Sequence, residues 1–201
     1  MTRLRTHGDA GQAFPIYITV VGGLLFLALA YFAVGQATVN RGGAQTAADA
    51  AALAAAQNAR DQLAEEWVRA VLDPVKWDDI FRGDVQLVND PCFRATQLAA
   101  HNEADVDGCV QTGWPLGYQV DVQTRKTMGE SIVPATAQKR SRASAKAVIE
   151  PLCQFKLPAE DAQDDVLPRL TCRDGNFWDL KPDDLTDLPE PNDLFDVHLA
   201  D

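Results

Sequence analysis

The chain has 201 residues, 46% hydrophobic and 23% charged, with a formal net charge of -11 and a pI of 4.6. That size holds one modest domain with appendages. The acidic balance repels phosphate backbones, so nucleic acid is excluded as an expected partner.

The charges are unevenly spread, because none occurs between Asp9 and Arg41. Residues 1–13 form a short N-terminus carrying Arg3 and Arg5. Residues 14–39 read as a transmembrane helix. Phe14 to Ala37 would rise about 36 Å as a helix, enough to cross a hydrocarbon core of about 30 Å with some tilt. Its Leu, Ile, Val and Phe side chains outweigh Gly22, Gly23 and Gln36 for insertion. Arg3 and Arg5 before the span weakly favour a cytoplasmic N-terminus and an extracytoplasmic remainder. The competing reading is a cleavable secretory signal, since Ala28-Leu29-Ala30 and Gly35-Gln36-Ala37 offer small residues to a signal peptidase. The apolar run is longer than an ordinary h-region, which favours a retained anchor. A buried helix of a soluble protein is a third reading, disfavoured by the uncharged length.

Gly42 and Gly43 predict a kink or break. Thr46, with Asp49 three residues on, then predicts a restart by capping. Residues 44–72 are dominated by strong helix formers, and Asp73-Pro74 predicts their stop. Ala52, Ala56, Ala59, Leu63, Trp67 and Ala70 recur at helical spacing and form one apolar stripe. The stripe either packs on the protein's own sheet or lets partner helices approach closely, as small-residue faces do.

At Gly11-Gln12-Ala13 before the apolar span, and at Ala44-Gln45-Thr46-Ala47-Ala48-Asp49-Ala50-Ala51-Ala52-Leu53-Ala54-Ala55-Ala56 after it, the chain resembles the bacterial TadE/TadG-like family of Flp (tight adherence) pilus assembly proteins. The resemblance covers about the first sixty residues. It implies a membrane-anchored envelope protein that assists pilus or secretion-apparatus assembly and carries no catalytic residues. The implied partners are the lipid bilayer and pilus or secretion-assembly proteins, with self-association as a further option. TadE-like members resemble prepilins processed after a glycine, with a glutamate early in the mature helix. Here Ile16 is fifth after Gly11 and Ala13 fifth after Gly8, so the resemblance points to a TadG-like uncleaved anchor. The residues expected to carry membrane and assembly contacts are Phe14, Gly22, Gly23, Leu27, Tyr31, Ala48, Asp49, Ala52, Leu53 and Ala56.

Residues 80–155 read as a small α+β outer domain. Val85 to Val88, Tyr118 to Val122 and Ala143 to Ile149 alternate as strands do, and Ala95 to Asn102 suits a short helix. Gly108, Gly113, Pro115 and Gly117 mark a turn. The expected fold class is α+β: a long N-terminal transmembrane helix continuing into an Ala-rich helix packed on a small antiparallel sheet and stabilised by disulfides. This parallels pilins in outline only. Cys92, Cys109, Cys153 and Cys172 all follow the span, where an exported domain meets an oxidising environment. Cys92 with Cys109 and Cys153 with Cys172 are favoured because each closes a short local loop. Residues 156–201 form an acidic, Pro-rich tail expected to be partly irregular and to dock through isolated apolar side chains.

Signs of chemistry are weak. Glu103, Asp105, Asp107 and Gly108 imitate the start of an EF-hand loop, but Trp114 stands where its bidentate glutamate belongs. His7, His101 and His198 are far apart, and no nucleophile-elbow, phosphate-loop or metalloprotease signature occurs. No enzyme activity, metal or cofactor is expected. The alternative to a pilus component is a secreted or anchored binding module.

Overall fold

The computed structural model describes residues 13–127, 138–157, 167–173 and 175–200. Gly8, Gly11 and the rest of the N-terminus before Ala13 lie outside the described residues. One helix, α1, runs from Ala13 to Arg69, about 86 Å at 1.5 Å per residue. The break expected at Gly42 and Gly43 is absent: helix continues through both. Thr46 does not cap a new helix there. Its Oγ1 donates to the Gly42 carbonyl at 3.0 Å, one turn back inside the same helix. The cost of two glycines, about 1 kcal/mol each, is offset by strong helix formers downstream and by packing that begins at once with buried Ala44.

After α1 the chain turns through a single 3-10 turn, Pro74–Lys76, into α2 at Trp77–Arg82. The Trp77 indole donates to the Ala70 carbonyl at 3.0 Å, satisfying one of the acceptors that a helix end leaves open. Gly83 closes α2 with φ +74, and a Cβ there would lie 2.5 Å from Leu116 Cδ2. A side chain is excluded twice, by conformation and by space.

Residues 85–88, expected as a strand, form no strand and lie along α1 instead. The Gln62 side chain takes the part of a neighbouring strand. Its Nε2 donates to the Asn89 carbonyl at 3.0 Å, and its Oε1 accepts from the Asn89 N–H at 2.7 Å. Asp90 then caps α3, Pro91–His101, by accepting from the Cys92 N–H.

The main sheet has β1 (Ala104–Thr112), β2 (Gly117–Thr127), β3 (Arg140–Pro151) and a late strand, β7 (Phe195–Leu199), in the order β1-β2-β3-β7. All neighbours are antiparallel. A second small sheet joins β4 (Cys153–Gln154), β5 (Leu170–Cys172) and β6 (Phe177–Trp178). The short α4, Pro191–Leu194, leads into β7. The acidic tail therefore supplies the fourth strand of the sheet, with Leu194 and Phe195 fully buried.

One face of the sheet is covered by α1 and α3. Along β2, Tyr118, Val120 and Val122 are buried while Gln119 and Asp121 are exposed, the alternation of a half-buried strand. Their partners on β3 are Ala147, Ala145 and Ala143. Small residues on β3 face the alanines of α1, which packs mainly over this strand, so helix and sheet can approach closely. Beyond the alanines the core becomes aromatic. Trp67 lies 5.4 Å from Trp77, Trp77 5.3 Å from Phe155, and Phe81 5.2 Å from Phe195, measured between ring centroids.

Candidate functional site

The residues expected to make membrane and assembly contacts all lie on α1, and the structure divides them at Ala44. Below it, Phe14, Gly22, Gly23, Leu27 and Tyr31 are exposed. Phe14–Phe32 has a mean hydropathy of 2.0, and none of its residues is buried among the described residues. A Cβ on Gly22 or Gly23 would meet nothing within 4 Å. An uninterrupted apolar helix of this length, exposed on all sides, needs either lipid or another protein around it.

Above Ala44 the situation reverses. Ala48, Ala52 and Ala56 are fully buried, Leu53 packs against the same core, and Asp49 accepts from Gln45 Nε2 at 2.7 Å. The alanine face is filled by the chain's own sheet and α3, and is not left open to a neighbouring copy. Of the two readings of the stripe, the structure takes the internal one.

Both disulfides join the locally favoured pairs. Cys92–Cys109 ties the start of α3 to β1, and Cys153–Cys172 joins directly opposed residues of β4 and β5.

At the far end of the domain, two shallow clefts share Arg82 and Trp114 as a common wall. One, ≈ 550 Å³, is bounded also by Asp84, Gln111 and Thr112. The other, ≈ 630 Å³, is lined by Val75, Phe81, Phe155 and Leu157. Trp114 is 66% exposed, Val75 75% and Leu157 53%. Sequence reasoning did not find this surface; Trp114 entered only as the wrong residue in a calcium loop. The isolated aromatic within a Gly-Pro-Gly turn was the available signal.

The apparent calcium motif dissolves on folding. Asp105 and Asp107 lie on β1, and Glu103 precedes it. Each carboxylate faces a cation: Glu103 with Lys126, Asp105 with Arg125, and Asp107 with Arg142. Among the described residues no group of three or more His, Cys, Asp or Glu could hold a metal ion. Asp184 is held below the usual carboxylate range by hydrogen bonds from Thr186, on an exposed turn. Tyr118 is pushed up to about 12 by burial, with the nearby Asp90 carboxylate adding to it. It lines the core and neither of the two clefts beside Trp114.

The family described as Flp pilus-assembly TadE/G-like matches residues 11–58. No curated protein and no solved structure matches the chain at a significant level. The match takes in the free apolar helix and the first half of the buried alanine run, and it ends before either disulfide and before any strand. Over residues 11–58 the chain is similar to the TadE/G-like Flp pilus-assembly family.

Proposed function

We propose that the chain is a non-enzymatic, membrane-anchored component of a Flp-type pilus or a related envelope assembly. Its N-terminus is cytoplasmic, its disulfide-bonded domain is extracytoplasmic, and it works by protein-protein contact. The observation that carries this reading is a single helix of two natures, with the family match running across the junction. Its lower part, Phe14–Phe32, is apolar with no residue buried, and its upper part is the spine of a folded domain. Such a helix transmits position from the bilayer to the domain without a flexible joint. The clefts beside Trp114 present aromatic and aliphatic side chains around one arginine, a composition suited to a protein partner.

Deleting the gene in its own bacterium and counting Flp pili by electron microscopy tests the assembly role. Pili should be lost or sharply reduced, and restored by the full chain. Wild-type piliation in the deletion strain would remove the proposal. Recovery of the protein as a soluble species starting after Ala30 or Ala37 would favour a secreted binding module, because the packed part of the molecule begins only at Ala44.

A further inference from the structure

Arg140 opens β3 and Lys139 immediately precedes it; both are exposed. Among the described residues neither has an ion-pair partner, in contrast to Arg125, Lys126 and Arg142 close by. Their height along α1 follows from the topology. Pro151, at the other end of β3, pairs with Phe195, which belongs to the aromatic group reaching Trp67 through Phe81, Phe155 and Trp77. Counting back from Pro151 to Arg140 at 3.3 Å per residue gives about 36 Å. On α1 that length is about 24 residues, which brings Arg140 from the level of Trp67 to that of Gly43.

A separate path gives a similar answer. Asn89 is bonded to Gln62, and α3 then covers about 16 Å alongside α1. At its end the Glu103 carbonyl accepts from the Arg125 N–H at 2.7 Å, and Thr127, two residues further, opposes Arg140. The paired acids Glu103, Asp105 and Asp107 also lie toward this end, but their charges are already matched.

Arg41, exposed and without an ion-pair partner among the described residues, is the first charge after the apolar run, and it lies about 3 Å of helix from Gly43, the level that these counts give for Arg140. Val39, 75% exposed, is only about 3 Å of helix below it. If the apolar half of α1 spans a bilayer, these three cations come within a Debye length of about 8 Å of the headgroup layer.

We infer that the β2–β3 end of the sheet, through Lys139 and Arg140 beside Arg41, is a contact site for anionic phospholipid headgroups. This inference rests on the membrane reading above. It gives a molecule of net charge -11 a defined posture: the general repulsion pushes the domain away from an anionic surface, while the basic end stays down. Three long, exposed cations suit phosphate contact without a shaped pocket.

The full chain reconstituted into nanodiscs of phosphatidylcholine, or of phosphatidylcholine with phosphatidylglycerol, tests this by hydrogen exchange. Amides around residues 122–127 and 138–143 should exchange about fivefold more slowly in the anionic discs. High salt should abolish the difference. Lys139→Gln with Arg140→Gln should abolish it too, while leaving exchange in α3 and β7 unchanged. Equal exchange in the two lipids overturns the inference. Carbonate extraction of matching proteoliposomes separates the two levels: retention with equal exchange sinks only the lipid contact, and release from the vesicles sinks the membrane reading along with it.

Discussion

Gly117 shows how closely the sheet and its turn are fitted. A Cβ on it would lie 2.4 Å from the Ala147 carbonyl oxygen and 3.2 Å from Val148 Cα. Both obstacles are backbone atoms of the paired strand, which cannot swing away as a side chain can. Gly117→Ala should therefore lower stability by about 1–3 kcal/mol. Gly113→Ala, where a Cβ meets nothing within 4 Å, should stay within about 0.5 kcal/mol. Urea unfolding of the full chain in detergent, followed by tryptophan fluorescence, reads both; equal midpoints would contradict the packing argument. Tyr118 supplies a pH signature. Burial favours its neutral form and raises its folded pKa to about 12 from a usual value near 10. For a raised pKa, the stabilisation is fully present below the unfolded value and is lost as pH rises through the folded one. Stability should fall between about pH 10 and 12. Tyr118→Phe should flatten that part of the profile, and a mutant as steep as wild type would count against the assignment.

Elements show where local pattern sufficed and where it did not. The apolar helix and the alanine stripe were legible because helical periodicity and absence of charge are local properties, and α3 with the central parts of β2 and β3 followed from alternation and turn residues, whereas Gly108, read as a turn residue, lies inside β1, a strand the sequence reading missed. Three features depended on distant partners. Residues 85–88 alternate like a strand, yet their last neighbour, Asn89, is held by the Gln62 side chain, a partner no local pattern reveals. Phe195, Val197 and Leu199 alternate within an acidic tail, and composition hid a strand that only the free edge of β3 makes possible. The unbroken passage through Gly42 and Gly43 reflects packing that starts at Ala44, which overrides propensity. Which way the alanine stripe faces was likewise open until the alanines of β3 appeared opposite. That close fit predicts that Ala52→Leu, at a site with no exposed surface, will destabilise the domain by about 1–3 kcal/mol through overpacking. Ala52→Gly should cost less, about 1 kcal/mol from helix propensity. Were Ala52→Leu neutral in urea unfolding while impairing piliation, the stripe would be an intermolecular surface after all.

For the molecule as a whole, the decisive question is what surrounds the free half of α1. Lipid is the simplest answer, since the segment has the length and composition of a span and none of its residues is buried among the described residues. A packed filament core, the alternative for a pilin-like helix, would also bury these side chains, but it would tolerate a central charge only if a partner matched it. Leu25→Arg places an uncompensated cation near the middle of the apolar run, where a bilayer penalises arginine by about 3 kcal/mol and the lost leucine removes about 0.5 more. The folded domain is untouched by this change, because its core begins nineteen positions later at Ala44. In native cells the variant should therefore be depleted from the carbonate-resistant membrane pellet and appear in the soluble or degraded fraction. Thiol titration of the unfolded, unreduced wild-type chain taken from membranes should find no free cysteine, in keeping with the two pairs. Undiminished membrane retention by Leu25→Arg would mean that protein, not lipid, lines this helix.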